Sequence, residues 1–598
     1  MWFRNLAAAG LMSLLAACGG GGGGSGTSSS NDGTAAPQAP PPPNCTYVAG
    51  AEPAINDNGS HPTAQEAARF LAQASFGPRE ASINALTQSS YASWLNHQFA
   101  LQPSAHLTCV DMELARAAAA GQGGNQDFFF QSWWGQAVTG PDQLRQRVAF
   151  ALSQIFVVSF EGNLSDKYRS VASYYDMLGR NAFGNYRQLL EGVSLHPAMG
   201  MYLSHLRNQK EDPARGRVPD ENYAREVMQL FSIGLYELNT DGTVKMSGGR
   251  PIETYTNDDV SGLARVFTGY SWAGPDNSNA RFTENNSARD PDRHVLPMQG
   301  YPQYHSISQK SFLGTTIAAQ GSASVASMQS DLKTALDRLY NHPNVGPFIG
   351  RQMIQRLVTS NPSAAYVGRV AAAFNTGTAH GFGNGVRGDM KAVIAAVLLD
   401  PEARPASPAA GEGKLREPVL RLANWARAFN AGSASGSWRI GNTDSVTGSL
   451  GQTPMRSPSV FNYYRPGYLP PNTNMGTAGL VAPEMQITHE SSVAGYLNFM
   501  RDVVDRGVGA TVSNARDVRP DYSAEIALAG NSDALIDRVN LLLMRGAMKP
   551  STRTAIKTAV DPIAISTTNA TNADTARRQR VYIAVYLAMA APEYLTQK

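Results

Sequence analysis

Carboxylate, imidazole and guanidinium groups gather between Asn222 and Lys310 of this 598-residue chain. Glu226 and Asp258 supply carboxylates and His305 an imidazole. Brought into one cleft, such a set would serve general acid–base catalysis or hold a hard metal ion. Asn222, Arg225, Arg265 and Lys310 add binding groups around them, and Asp290 and His294 lie on the same loop as His305. A competing reading of the same residues is a buried salt-bridge network that fixes two helices, with His305 pinning the loop. Arg225 and Glu226 are adjacent, so on a helix they do not face each other and each needs a partner from elsewhere. Arg265, His305 and Lys310 are the cations expected to reach Glu226, and Asp259 reads as a helix cap.

Two helices must position these groups. In the first, Tyr223, Val227, Leu230 and Phe231 recur at i, i+4, i+7 and i+8, an apolar stripe of helical period. Asp220 can cap its start, and Gly234 loosens its end. The second opens on Thr256-Asn-Asp-Asp259, a capping box with Asp in place of Glu, followed by Val260, Leu263, Ala264 and Phe267. Turn signals at Asn239-Thr-Asp-Gly242 and Gly248-Gly249 separate them. The expected unit is an antiparallel helix pair with a β-like polar loop.

The pattern Glu221-Asn-Tyr-Ala-Arg-Glu226, followed by Tyr255-Thr and Ala264-Arg-Val-Phe-Thr-Gly-Tyr270, resembles a large bacterial family known only as a domain of unknown function, numbered eighteen hundred. Further blocks fall in the same order: Arg69 to Gly77, Asn181 to Gly184, His196 to Met199, His305 with Lys310 to Gly314, and Arg387 to Lys391 with Leu398 to Pro401. The resemblance runs from about Thr63 to the C-terminus. It implies a fold class and an exported protein, often encoded beside an uncharacterised exported partner, but no reaction.

Standard catalytic signatures are absent. Gly269-Tyr-Ser-Trp-Ala273 lacks the last glycine of a nucleophile elbow. Glu237 to Gly248 begins like a calcium loop but ends on Gly248 where a bidentate carboxylate is required. Gly381, Gly383, Gly385 and Gly388 precede a predicted helix and could face an anion, yet no strand precedes them. A flexible lead-in to that helix is the simpler reading. The block Gln452 to Tyr468 carries Tyr463, Tyr464 and Arg465. It is a variant of the family's Pro-rich block, departing from it at Asn462-Tyr463. Its rings and guanidinium suit either a sugar-stacking surface or the packing of a loop, and packing is preferred.

Composition narrows the classes further. Fifty Lys and Arg against 47 Asp and Glu give a net charge of +3 with no basic patch, which argues against nucleic acid as a partner. Met1 to Ala17 has one cation and a short apolar run, a signal peptide rather than a permanent span. Leu15-Ala-Ala-Cys18 resembles a bacterial lipobox, which implies lipidation of Cys18, and Gly19 after it resembles outer-membrane sorting. Acyl chains contribute roughly 0.8 kcal/mol per buried CH₂, so several would anchor the protein firmly. Residues 18–44 are Gly-, Ser- and then Pro-rich, a tether that cannot build a core. Beyond Cys18 only Cys45 and Cys109 remain, expected to pair in an oxidising compartment; no zinc spacing and no cofactor signature is present.

The coarse pattern is strongly helical. Thr63-Ala-Gln-Glu66 is a capping box, Ser90 can cap a helix with Trp94, Leu95 and Phe99, and Leu144 to Phe160 reads as one buried core helix. Helices are expected near 168–180, 184–194, 198–207, 322–341, 344–360, 363–375, 388–399, 415–430 and again over 484–598. The expected fold is mainly α: one large multi-helix body over 45–598 with irregular inserts at about 273–321 and 431–483. The expected function is a lipid-anchored binding or assembly component outside the cytoplasm, on the outer membrane facing the periplasm or the cell surface, working with an exported partner. The alternative is a hydrolase or other enzyme acting on an extracytoplasmic polymer, such as a polysaccharide, through the Glu226/Asp258/His305 region.

Replacement of Cys18 by Ala should move the protein from the membrane fraction to the soluble periplasm or medium. A Cys18→Ala protein that still sediments with membranes contradicts the lipobox reading.

Overall fold

The computed structural model describes residues 45, 47, 49, 50, 52 and 57, and then 59–285, 289–405 and 412–598. The expected lipidation site Cys18, the signal peptide and the tether lie outside the described residues.

The fold is mainly α. Helices follow one another from Ala64–Ala74 to Pro592–Leu595, and one connected core of buried apolar side chains runs from Ala67 to Tyr594. Local chemistry sets many of the helix starts. Thr63 and Glu66 close a reciprocal capping box, and the Ser90 hydroxyl accepts the Ser93 N–H at the start of Tyr91–Ala100. Cys45 and Cys109 are joined by a disulfide, with Cα atoms 5.5 Å apart, tying the first described residue to helix His106–Ala119.

The expected long helix over 144–160 is shorter. It spans Gln143–Ser153, buried on every face, and residues 154–160 continue buried but non-helical. The Phe160 N–H donates to the Met455 carbonyl and the Ser159 hydroxyl to that of Ser457, so this segment lies against the 453–457 loop. The β-branched and aromatic run Ile155-Phe-Val-Val158 suits an extended chain better than a further helical turn. The helix expected over 198–207 also stops early, at Pro197–Tyr202, where Ser204 and Arg207 take positive φ.

Helices Asn222–Gln229 and Asn257–Val266 pack together and are joined by a small β ribbon. In it Met246–Ser247 pairs with Arg250–Pro251 around Gly248 and Gly249, both at positive φ. Such a turn favours glycine at both central positions. The insert after the pair is less irregular than expected: Tyr270–Ser271 pairs with Gln299–Gly300, and Lys310–Phe312 forms a hairpin with Thr315–Ile317. That hairpin lies directly on helix Asn257–Val266. Gly262 makes the approach possible, since a Cβ there would run into the Ser311 carbonyl oxygen. Asp259 both caps its helix and accepts the Leu313 N–H at 2.6 Å.

The second insert contributes Gly432–Ser433 to a three-stranded sheet with Val508–Val512 and Ala515–Arg519. The hairpin 508–519 interrupts a region expected to be helical throughout. Its turn residues Ser513 and Asn514 both sit at positive φ. At the C-terminus Thr596–Gln597 pairs with Lys414–Leu415.

Candidate functional site

The residues nominated from sequence do not assemble into one cleft. His305 is fully buried, with its Nδ1 2.7 Å from the Thr268 carbonyl and its Nε2 3.1 Å from Asp331. Lys310 is equally buried, forms an ion pair with Asp331 at 2.8 Å and donates to the Ser306 carbonyl. Burial pushes the Asp331 carboxyl up, but hydrogen bonds from His305 and Lys310 outweigh it and hold the group below the ordinary range. Arg265 donates to the Gln309 carbonyl. The cations expected to serve Glu226 are therefore engaged with the 305–310 loop and Asp331. The signal for Asp331 was present: it is three residues after Met328 and four before Ala335, on the apolar stripe of helix Val325–Tyr340.

Asn222 and Asp258 are exposed. Arg225 is half-buried and pairs at 3.7 Å with Glu221 on its own helix, not with a neighbouring one as expected. Glu226 is buried, yet among the described residues its carboxylate has neither a hydrogen bond nor an ion pair. Burial raises its pKa, and the nearby Arg225 only partly offsets this.

Tyr463 and Tyr464 face inward. The Tyr463 hydroxyl donates to the Thr453 and Arg456 carbonyls, and Tyr464 is buried beside Gln154. Arg465 is exposed, with its guanidinium over the Phe461 ring at 4.4 Å. Near the glycines at 381–388, Asp389 accepts the Lys391 and Ala392 N–H groups, so the amides that could have faced an anion already have a partner. Among the described residues no group of three or more His, Cys, Asp or Glu is placed to hold a metal ion, and no helix is long and apolar enough to cross a membrane.

Behind Tyr464 lies a charge network that the sequence reading missed. Arg147, Arg356, Lys414, Glu417 and Glu484 are each at most 4 % exposed. Lys414 pairs with Glu484 at 2.9 Å, and Lys414 and Arg147 both donate to the Arg356 carbonyl. Glu417 accepts from Gln154 and Gln452 at 2.5 and 2.7 Å. The Arg356 guanidinium donates to the Gln154 carbonyl. Burial raises the Glu484 carboxyl despite Lys414, and lowers both Arg147 and Arg356.

Arg356 and Gln154 connect this network to an open cavity of about 630 Å³, whose lining includes both. Helix Val345–Leu357 lines it with Phe348, Arg351, Gln352, Gln355 and Arg356, at i, i+3, i+4, i+7 and i+8 on one face. The loop after helix Asn222–Gln229 forms a second wall, with Leu235, Tyr236 and Val244 each at least 40 % exposed. Asn344 fixes that wall, donating to the Ile233 and Tyr236 carbonyls and accepting the Leu238 N–H. Residues 460–467 close the third side. The clue in the sequence was a helix face carrying Arg and Gln at core spacing.

The geometry defines a mainly helical body with a ligand-sized pocket that meets a buried ionic network at Arg356. A family model described as protein of unknown function (DUF1800) matches residues 69–596, and the chain belongs to that family. Neither the curated proteins nor the solved structures include a match to the chain.

Removal of a paired buried carboxylate would destabilise, whereas the unpartnered Glu226 should show the opposite. A carboxyl whose folded pKa is raised carries a penalty that is complete above the folded pKa and absent below the unfolded value of about 4.3. Glu226→Gln should therefore melt higher than the parent protein at pH 7, with the gap closing as the pH falls towards 4. Thermal melts across that range check this, and a lower melting temperature for Glu226→Gln at pH 7 would reveal a partnered carboxylate.

Proposed function

We propose that the protein is a non-enzymatic binding or assembly component, lipid-anchored through Cys18 to the outer membrane, facing the periplasm or cell surface and working with an exported partner. One observation carries the binding half of this reading. The acid–base groups are sealed or scattered, whereas a ligand-sized pocket opens beside the same helix pair. A catalytic imidazole must reach its substrate, and His305 has no exposed surface. The pocket is concave, largely apolar and furnished with a few polar groups, the usual form of a small-molecule site. The lipobox and the tether support the anchor, and the family resemblance motivates the exported partner.

Cross-linking in the native envelope, followed by purification of the tagged protein, tests this function. One exported protein should co-purify in near-stoichiometric amount. Turnover of an envelope polymer by the purified protein, abolished by Glu226→Gln, would contradict the proposal and favour the hydrolase.

A further inference from the structure

The cavity lining holds three arginines and four glutamines but no aspartate or glutamate. Four other cavities of the molecule each include a carboxylate in their lining, at Glu113, Glu52, Asp389 and Asp502. Arg351 is exposed and, among the described residues, its guanidinium makes no hydrogen bond or ion pair. Arg465 is exposed too; its guanidinium lies on the Phe461 ring and meets no carboxylate. Each guanidinium presents a planar fork of N–H donors suited to bidentate capture of a carboxylate or phosphate.

The buried network that reaches the cavity at Arg356 has the same sign: Arg147, Arg356 and Lys414 stand against Glu417 and Glu484, one positive charge in excess when all five are ionised. Buried side chains lining the cavity also keep unmade hydrogen bonds, at the donors Arg356 Nε and Gln352 Nε2 and at the acceptors Gln154 Oε1 and Gln355 Oε1. The remaining walls are apolar: Leu230, Leu235, Tyr236, Val244, Phe348 and Phe461. Cationic groups without counter-charges, set in an apolar wall, complement one kind of molecule: an anion with an apolar body. The volume of about 630 Å³ falls inside the range of roughly 300–1,000 Å³ typical of small-molecule sites.

We propose that this cavity binds a free, single-tailed amphiphilic anion, a carboxylate or phosphate on an aliphatic or aromatic body. Arg351 and Arg465 hold the anionic group, and Leu235, Val244 and Phe348 cover the body. The inference rests on the binding reading above and specifies its ligand. Charged groups set the preference for an anion, and the apolar wall supplies the desolvation that strengthens them.

Calorimetric titration of the full-length chain carrying Cys18→Ala, which removes the need for detergent, tests the site. The probes are decanoate, decyl phosphate and decyltrimethylammonium below their micelle concentrations. Decanoate or decyl phosphate should bind saturably at one site, and decyltrimethylammonium at least tenfold more weakly. Arg351→Gln and Arg465→Gln should each weaken anion binding at least tenfold with unchanged melting temperature, and Val244→Asp should abolish it. Equal affinity for the cationic amphiphile, unchanged binding in both arginine variants, or no saturable binding would overturn the proposal. Binding to phosphatidylglycerol vesicles without binding of decanoate would also overturn it, in favour of a bilayer headgroup. Failure here while an exported partner still co-purifies would leave the binding reading standing and remove only this ligand.

Discussion

Five charged side chains held away from water at the centre of the body constrain the rest of the structure. Arg147, Arg356, Lys414, Glu417 and Glu484 come from segments far apart in the chain; Gln154 and Glu417, which hydrogen-bond, are separated by 263 residues. Ions taken out of water are penalised by several kcal/mol each, so such a set persists only where geometry and hydrogen bonds offset the loss. Here backbone carbonyls and glutamines do much of that work: the Arg356 carbonyl accepts from Arg147 and Lys414, and Gln154 and Gln452 both donate to Glu417. The arrangement also explains why the chain leaves helical geometry after Ser153. The Gln154 backbone carbonyl, which a further helical turn would need, is taken by Arg356, while its side-chain amide donates to Glu417.

The network and the cavity share one helix. Val345–Leu357 sends Arg356 into the ionic network and lines the cavity with Phe348 and Arg351. Its start is tied by Asn344 to the loop that follows helix Asn222–Gln229. Tyr464, buried against the same charges, sits one residue before Arg465. Arg147, Lys414, Glu417 and Glu484 thus act on the pocket from behind its lining, through Arg356. Cationic groups set in an apolar lining that is already formed are suited to capture, because binding then requires little rearrangement.

Much of the fold was legible because it rests on local chemistry. The capping boxes at Thr63/Glu66 and Thr256/Asp259, and the stripe from Tyr223 to Phe231, depend on neighbours within a few residues. Where sequence reasoning failed, a distant partner or a turn decided. The hairpin over 508–519 turns on Ser513 and Asn514, which carry no glycine signal. The site was the least legible part. His305 and Lys310 were correctly singled out as partners for a carboxylate, but that carboxylate is Asp331 rather than Glu226. Glu417 and Glu484 look like ordinary surface acids in sequence, because only tertiary structure brings Gln154, Gln452 and Lys414 to them.

The Lys414–Glu484 pair gives the most direct access to this account. Denaturant unfolding of Lys414→Met, Glu484→Gln, Glu484→Leu and the doubly apolar Lys414→Met/Glu484→Leu protein measures its coupling. If the buried network holds the body together, Lys414→Met should cost about 3–5 kcal/mol, because it leaves a buried carboxylate without its cation. Glu484→Gln should also destabilise, and the double variant should recover much of the loss. Single variants within about 0.5 kcal/mol of the parent protein would contradict the central role given to these charges.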